Sequence, residues 1–300
     1  MRHKEISMKS FFFKSLIAIL FTSQCYAHEI LENSKGFDLS LTRFQLGYSV
    51  GKFISIDQDY AETGLFIPLN ISPHWTSFID VNAYRFNDCR WASSDGLGIR
   101  RIISESSLVG VNAYYDYRRG EAQHNFHRIG LGFEWLNTCF DVRINGYLPV
   151  GNKTQTSSFC SFNTIGGGFF ATRRKIEYAY RGFDAEIGLP FWNQCDSSLY
   201  ISGGPYYYFR HRIQHFWGGF GRLLLNWNSM ISVELRASYD RIYSAHFQGS
   251  IQLSIPFDFF CPSTCGKSRC EWFLTQPTRR NGIIQTDHCC NWTWNWNDII

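Results

Sequence analysis

The sequence predicts an all-β chain folded as a twelve-stranded antiparallel transmembrane β-barrel. Three observations carry that expectation. Polar and apolar residues alternate with period two over runs of about ten residues. An apolar leader precedes these runs, and no later apolar run approaches the roughly 18 residues of a spanning helix. The connections alternate between tight turns and longer loops, as in barrels of the outer membrane.

The alternation is plainest in Ser107–Gly151. Val109, Val111, Ala113, Tyr115 and Tyr117 share one face there; Gly110, Asn112, Tyr114, Asp116 and Arg118 share the other. Ile129, Leu131, Phe133 and Trp135 oppose Arg128, Gly130, Gly132 and Glu134, and Val142, Ile144 and Leu148 oppose Asp141, Arg143 and Asn145. Twelve segments read this way, near 41–51, 58–68, 75–86, 90–102, 107–118, 125–136, 139–150, 176–190, 197–209, 215–227, 230–241 and 246–258. Asn137-Thr138 and Asn228-Ser229 are tight turns, and Ser104–Ser106 and Trp192–Asp196 are short; all follow even-numbered strands. Arg119–Gln123 and the Ser-, Thr- and Gly-rich loop Gly151–Lys175 follow odd-numbered ones. An even strand count returns both ends to the periplasm. The competing fold is a soluble two-sheet sandwich, whose dry core would penalise the charges on the polar faces.

Residues 1–27 read as a secretory signal, with Lys9 and Lys14 before the apolar Leu16–Phe21 and with Cys25-Tyr26-Ala27 as the cleavage region. The domain reading is then 1–27 signal, 37–258 barrel and 259–300 a Cys- and Trp-rich tail. Aromatic residues make up 18%, which suits pleated surfaces and membrane-interface girdles. The mean hydropathy of -0.22 excludes a bundle of membrane helices. Of 29 basic and 25 acidic residues, Arg2, Lys4, Lys9, Lys14 and Glu5 lie in the leader. The remainder is close to neutral and shows no basic patch for nucleic acid.

Nine cysteines follow Cys25, and Cys261, Cys265, Cys270, Cys289 and Cys290 crowd the tail. In an exported chain these five are candidate disulfide cysteines, within the chain or to other envelope proteins. Their spacing with His288 is too loose to favour zinc. Read from sequence, the tail lacks the size for a large core and needs such staples to fold.

Asn112, Asp116, Arg128, Glu134, Asp141, Arg143, Glu234 and Arg236 are the candidate lumen-facing residues. Their interleaved signs point to an ion-paired ladder in preference to an ion-selective lining. Gly110, Gly130, Gly132, Gly146, Gly219 and Gly221 either admit a chain into the lumen or permit strand coiling. Trp135, Trp192, Trp217 and Trp227 fall near strand ends and suit interface belts, whereas Tyr147 is expected to point inward. His211 and His215 near Asp240 are the best hydrolase candidates, without any local signature around them. No catalytic, cofactor-binding or metal-binding residue is assigned. The expectation is therefore a non-enzyme without a cofactor.

Several motifs in order resemble a known family. They are Gly110-Val111-Asn112-Ala113-Tyr114-Tyr115-Asp116-Tyr117, Arg128-Ile129-Gly130-Leu131-Gly132-Phe133-Glu134, Asn145-Gly146-Tyr147-Leu148-Pro149, and Tyr180–Pro190. Tyr239-Asp240, the closing strand Gly249–Phe257 and Arg279-Arg280-Asn281-Gly282-Ile283-Ile284 continue the series. Together they resemble the β-domain of inverse autotransporters, the intimin and invasin group. The resemblance implies a barrel in the bacterial outer membrane. It also implies a linker running back through the pore and a displayed C-terminal passenger. Residues 259–300 are too few for an immunoglobulin-like passenger of about 100 residues. The expectation is a barrel without a large passenger. Its surface loops, chiefly Gly151–Lys175, or its tail would serve envelope or host contact. The partners expected are membrane lipid, the barrel-assembly machinery (with Phe257 closing the last strand) and disulfide-linked envelope proteins; no host receptor is indicated. The alternatives are a small solute pore and an outer-membrane hydrolase.

Overall fold

The structure, a computed structural model, describes residues 42–71, 75–104, 106–166, 169–193, 197–210, 214–227, 230–257, 274 and 276–296. The expected signal, 1–27, lies outside the described residues, as do Cys261, Cys265 and Cys270. The strands are β1 (Arg43–Gly51), β2 (Tyr60–Ile71), β3 (Trp75–Phe86), β4 (Trp91–Ser104) and β5 (Ser107–Arg119). Next come β6 (Asn125–Asn137), β7 (Asp141–Val150), β8 (Thr154–Gly166), β9 (Phe169–Ala179) and β10 (Arg181–Asn193). The last are β11 (Ser197–Arg210), β12 (Gln214–Trp227), β13 (Ile231–Asp240), β14 (Ser244–Pro256) and β15 (Thr286–Trp296).

Twelve of these close into one barrel in the order β1-β14-β13-β12-β11-β10-β7-β6-β5-β4-β3-β2. Every neighbouring pair is antiparallel, including the closure of β1 on β14. The burial pattern is that of a water-soluble protein turned inside out. Val111 and Leu131 are 58% and 62% exposed on the outer face, while Asp116 and Arg128 are 0% exposed inside. Such a surface is stable only against hydrocarbon, so lipid surrounds the wall.

Two features depart from the sequence expectation. The stretch expected as a loop, Gly151–Lys175, holds the hairpin β8–β9, which β15 extends to a separate sheet in the order β15-β9-β8. This sheet is separate from the closed wall, so the period-two pattern that marks the barrel strands did not single it out. The strand expected over 176–190 is also two strands, since β9 ends at Ala179 and β10 begins at Arg181. At the break, the Tyr180 N–H donates to the Gln285 carbonyl at 3.0 Å. The wall therefore meets a segment from the C-terminal region at this point.

Candidate functional site: a threaded lumen

The strand period aims one side chain in two at the barrel axis, and on this chain those side chains are mostly polar. Arg128 donates to Asp116 at 2.7 Å across β5 and β6. Arg100 of β4 meets Glu134 at 2.9 Å. Arg143 bridges Asp141 at 3.3 Å and Glu134 at 3.7 Å. On the far wall Arg222 lies 3.4 Å from Glu186 and 3.2 Å from Glu234, and Arg236 lies 2.8 Å from Glu234. Tyrosines cap further carboxylates: Tyr114 on Asp80, Tyr147 on Asp184 and Tyr206 on Asp240, at 2.7, 2.7 and 2.6 Å. A buried charge without a partner is costly, and opposite charges on adjacent strands offset that cost.

Leu274 and residues 276–285 mark a crossing of this lumen from the short-turn end to the long-loop end. Leu274 packs on Leu108 and Leu136 beside the short turns. The Gln276 carbonyl then accepts from Arg100. The Thr278 hydroxyl donates to Asp80 at 3.2 Å. Arg280 sits at the centre. Its guanidinium contacts both Asp116 oxygens, at 2.8 and 2.7 Å, and Ser94 at 2.7 Å. It also stacks 4.1 Å from the Tyr114 ring. Arg279 stacks 4.3 Å from the Tyr200 ring. The Asn281 N–H donates to the Tyr147 hydroxyl at 3.0 Å, and its side chain donates to Asp184 at 3.1 Å. Its carbonyl accepts from Arg128 at 2.5 Å. Near the exit, Arg118 donates to the Ile284 carbonyl at 2.5 Å and Arg128 to the Gln285 side chain at 2.6 Å. The wall thus satisfies backbone carbonyls of the thread as well as its side chains.

Gly130 makes room for the central contact, because a Cβ there would collide with the Arg280 guanidinium. Gly130→Val is expected to destabilise the barrel by about 1–3 kcal/mol. The readout is a lower midpoint of the heat-dependent gel shift. Gly146→Val, at a glycine with nothing within 4 Å of its Cβ position, serves as the silent control.

A second insertion fills the other side of the lumen mouth. Gly51, at φ 101°, turns the chain out of β1, and Asp59 accepts its N–H at 2.8 Å. Between them, Phe53 and Ile56 close a tight two-residue turn. Phe53 and Ile54 are fully buried among Tyr206, Tyr208, Phe216 and Phe220. Ser55 donates through its hydroxyl to the carbonyl of Thr286, the first residue of β15.

Beyond the mouth, β15 pairs with β9 over eleven residues, from Thr286 opposite Ala179 to Trp296 opposite Phe169. Glu177 of β9 accepts the Ala122 N–H at 2.7 Å and lies 3.4 Å from His124, which fastens the outer sheet to the β5–β6 turn.

All eight sequence candidates fall on the inner wall. Asn112, Asp116, Arg128, Glu134, Asp141 and Arg143 are buried, while Glu234 and Arg236 are partly exposed. Sequence reasoning missed Arg100, Asp80, Asp184, Glu186 and Arg222, although strand parity alone could have found them. Trp135, Trp192, Trp217 and Trp227 are exposed on the outer face, and Tyr147 is buried. The hydrolase pair is not brought together. His215 lies on the outer face and Asp240 is buried on the inner one, while His211 lies outside the described residues. Cys289 and Cys290 belong to β15.

An apolar outer face, an ion-paired interior and a chain threaded through it define an integral outer-membrane β-barrel filled by its own C-terminal segment. The chain belongs to the inverse autotransporter β-domain family, whose pattern (inverse autotransporter, beta-domain) matches residues 36–209, more than half of the sequence. Its place is the bacterial outer membrane, in contact with lipid. A chain solved in a study of the in-meso crystallization of membrane proteins is similar in fold, with a TM-score of 0.59 at 14% identity. That match covers 83% of this chain and 99% of the other. The KdgM porin is 8% identical with a TM-score of 0.40, over 71% of this chain and 99% of that one. Outer membrane phospholipase A from Escherichia coli is 12% identical with a TM-score of 0.40, over 71% and 89%. Neither bears on function at that level. No curated protein matches the sequence.

Proposed function

We propose that this barrel is a translocator resting in its completed state. It passes its own C-terminal segment outward, parks residues 276–285 in the lumen and presents β15 at the surface. There β15 joins the hairpin β8–β9 as a small three-stranded sheet. The observation that carries this reading is the central lock of Arg280 on Asp116, part of a path from Gln276 to Gln285. A solute pore is disfavoured by the same path, since the thread and the wall guanidiniums occupy the passage. The role is structural and contact-making, not enzymic. β14 and Phe257 serve as the strand read by the barrel-assembly machinery, and Cys289 and Cys290 offer thiols for disulfides to envelope neighbours.

The test is surface labelling of intact cells. One epitope tag follows Ile300, and a second, in the β8–β9 hairpin, is the positive control. Both tags are expected to label. Labelling of the hairpin alone would refute export of the tail while leaving the barrel intact.

A further inference from the structure

We infer that the rim at the long-loop end binds phosphate-bearing lipid headgroups of the surrounding leaflet, through cations seated on aromatic rings. Arg85, the next-to-last residue of β3, faces outward opposite Trp91 in the strand register. Its guanidinium lies 4.4 Å from the Trp91 ring centroid and donates to the Cys89 carbonyl at 2.5 Å. Arg181, the first residue of β10, stands opposite Phe209, and its guanidinium lies 4.8 Å from that ring. Between them around the wall, the His127 ring stacks 5.7 Å from Tyr115, whose hydroxyl is 2.7 Å from Nδ1. Exposed Val111, Leu131 and Ile187 lie deeper on the same face, so the two guanidiniums sit where hydrocarbon gives way to headgroups.

Neither Arg85 nor Arg181 has a carboxylate within ion-pair distance among the described residues. The acids of this rim are engaged elsewhere. Asp88 binds Arg90, Glu121 lies 3.9 Å from Arg90, Asp57 lies 3.6 Å from Lys52, and Asp95 accepts from Ser93 at 3.2 Å. The opposite rim differs. There Trp75, Trp135, Trp192 and Trp227 are exposed, and among the described residues of that rim Arg101 is the one arginine or lysine on the outer face. A guanidinium with one face covered by a ring still presents its N–H edge, and a phosphate can take two of those N–H groups at once. Charge complementarity at headgroup depth selects a lipid phosphate as the occupant, on this leaflet and not on the other.

The experiment uses the full-length protein in neutral detergent micelles doped with phosphatidic acid or, as control, phosphatidylcholine. Phosphatidic acid is expected to raise the midpoint of the heat-dependent gel shift by about 3–5 °C. Arg85→Gln with Arg181→Gln is expected to abolish that rise. Both side chains face lipid, so the paired variant keeps the gel shift that reports a folded barrel. Arg101→Gln at the other rim is expected to keep the rise. No rise in the unaltered protein, an equal rise in the paired variant or a loss on changing Arg101 would each overturn the inference.

Discussion

Ending the chain at Phe273 is expected to convert a silent barrel into a conducting one. The thread touches the walls of β3 to β7 and of β10 and β11, through Asp80, Ser94, Asp116, Arg118, Arg128, Tyr147 and Asp184, among others. Its removal empties that half of the lumen. It also strips Arg100, Arg118 and Arg128 of the carbonyl and amide oxygens they now hold. Three wall guanidiniums would then face water, but so would Asp80, Asp116 and Asp184, and with Arg279 and Arg280 gone the opened path should favour cations modestly. Steps of conductance in planar bilayers, absent for the full chain, are the measurement. A truncated barrel as quiet as the full one would show that the thread is not what closes the lumen. The lock itself can be tested without truncation. Asp116→Ala removes the carboxylate shared by Arg128 and Arg280. The expected loss is about 3–5 kcal/mol, the cost of breaking a buried pair from one side. Arg280→Gln should lose less, because Asp116 keeps Arg128 and Ser94.

How far the sequence reveals this arrangement depends on which force shapes each part. The twelve barrel strands were legible because lipid and lumen impose period two on every one of them. Asp116 and Arg128 could be assigned to the lumen for the same reason. Their pairing with Arg280 could not, since no local pattern links positions 116 and 280; only the Arg279–Ile284 motif of the family hinted at a linker there. The hairpin β8–β9 escaped because it lies outside the closed wall, where lipid and lumen do not impose their alternation. β15 escaped for a related reason. Read alone, the tail had too little core to fold, but an edge strand needs only a partner edge, and β9 supplies it. Phe53, Ile54 and Ile56 stood in a loop where three large apolar residues should have signalled burial.

Those loop residues support the second large effect, because Phe53→Ala is expected to release the β1–β2 loop from the mouth. Ile54 and Ser55 hold φ of 23° and 61°, which is unfavourable for residues with a Cβ and most so for a β-branched one. Such strain costs on the order of 1–3 kcal/mol per residue and persists only where the surroundings outweigh it. Phe53 supplies much of that compensation. It packs edge-on against Phe220 at 6.3 Å, and the Arg236 guanidinium lies 5.0 Å from its ring. Cutting a buried Phe to Ala removes about 3–5 kcal/mol, comparable with the strain it must offset. The loop should therefore leave its seat and become open to protease between Lys52 and Asp59, with added conductance along β11 to β13. A loop as protease-resistant as before would sink this account. The two closures should also be coupled, since Ser55 bonds the carbonyl of Thr286 where the thread becomes β15. Ending the chain at Phe273 removes that partner, so the truncated barrel should show faster cleavage in the loop even with Phe53 in place. Conductance should be greatest when truncation and Phe53→Ala are combined, because each then opens the half of the mouth that the other leaves closed.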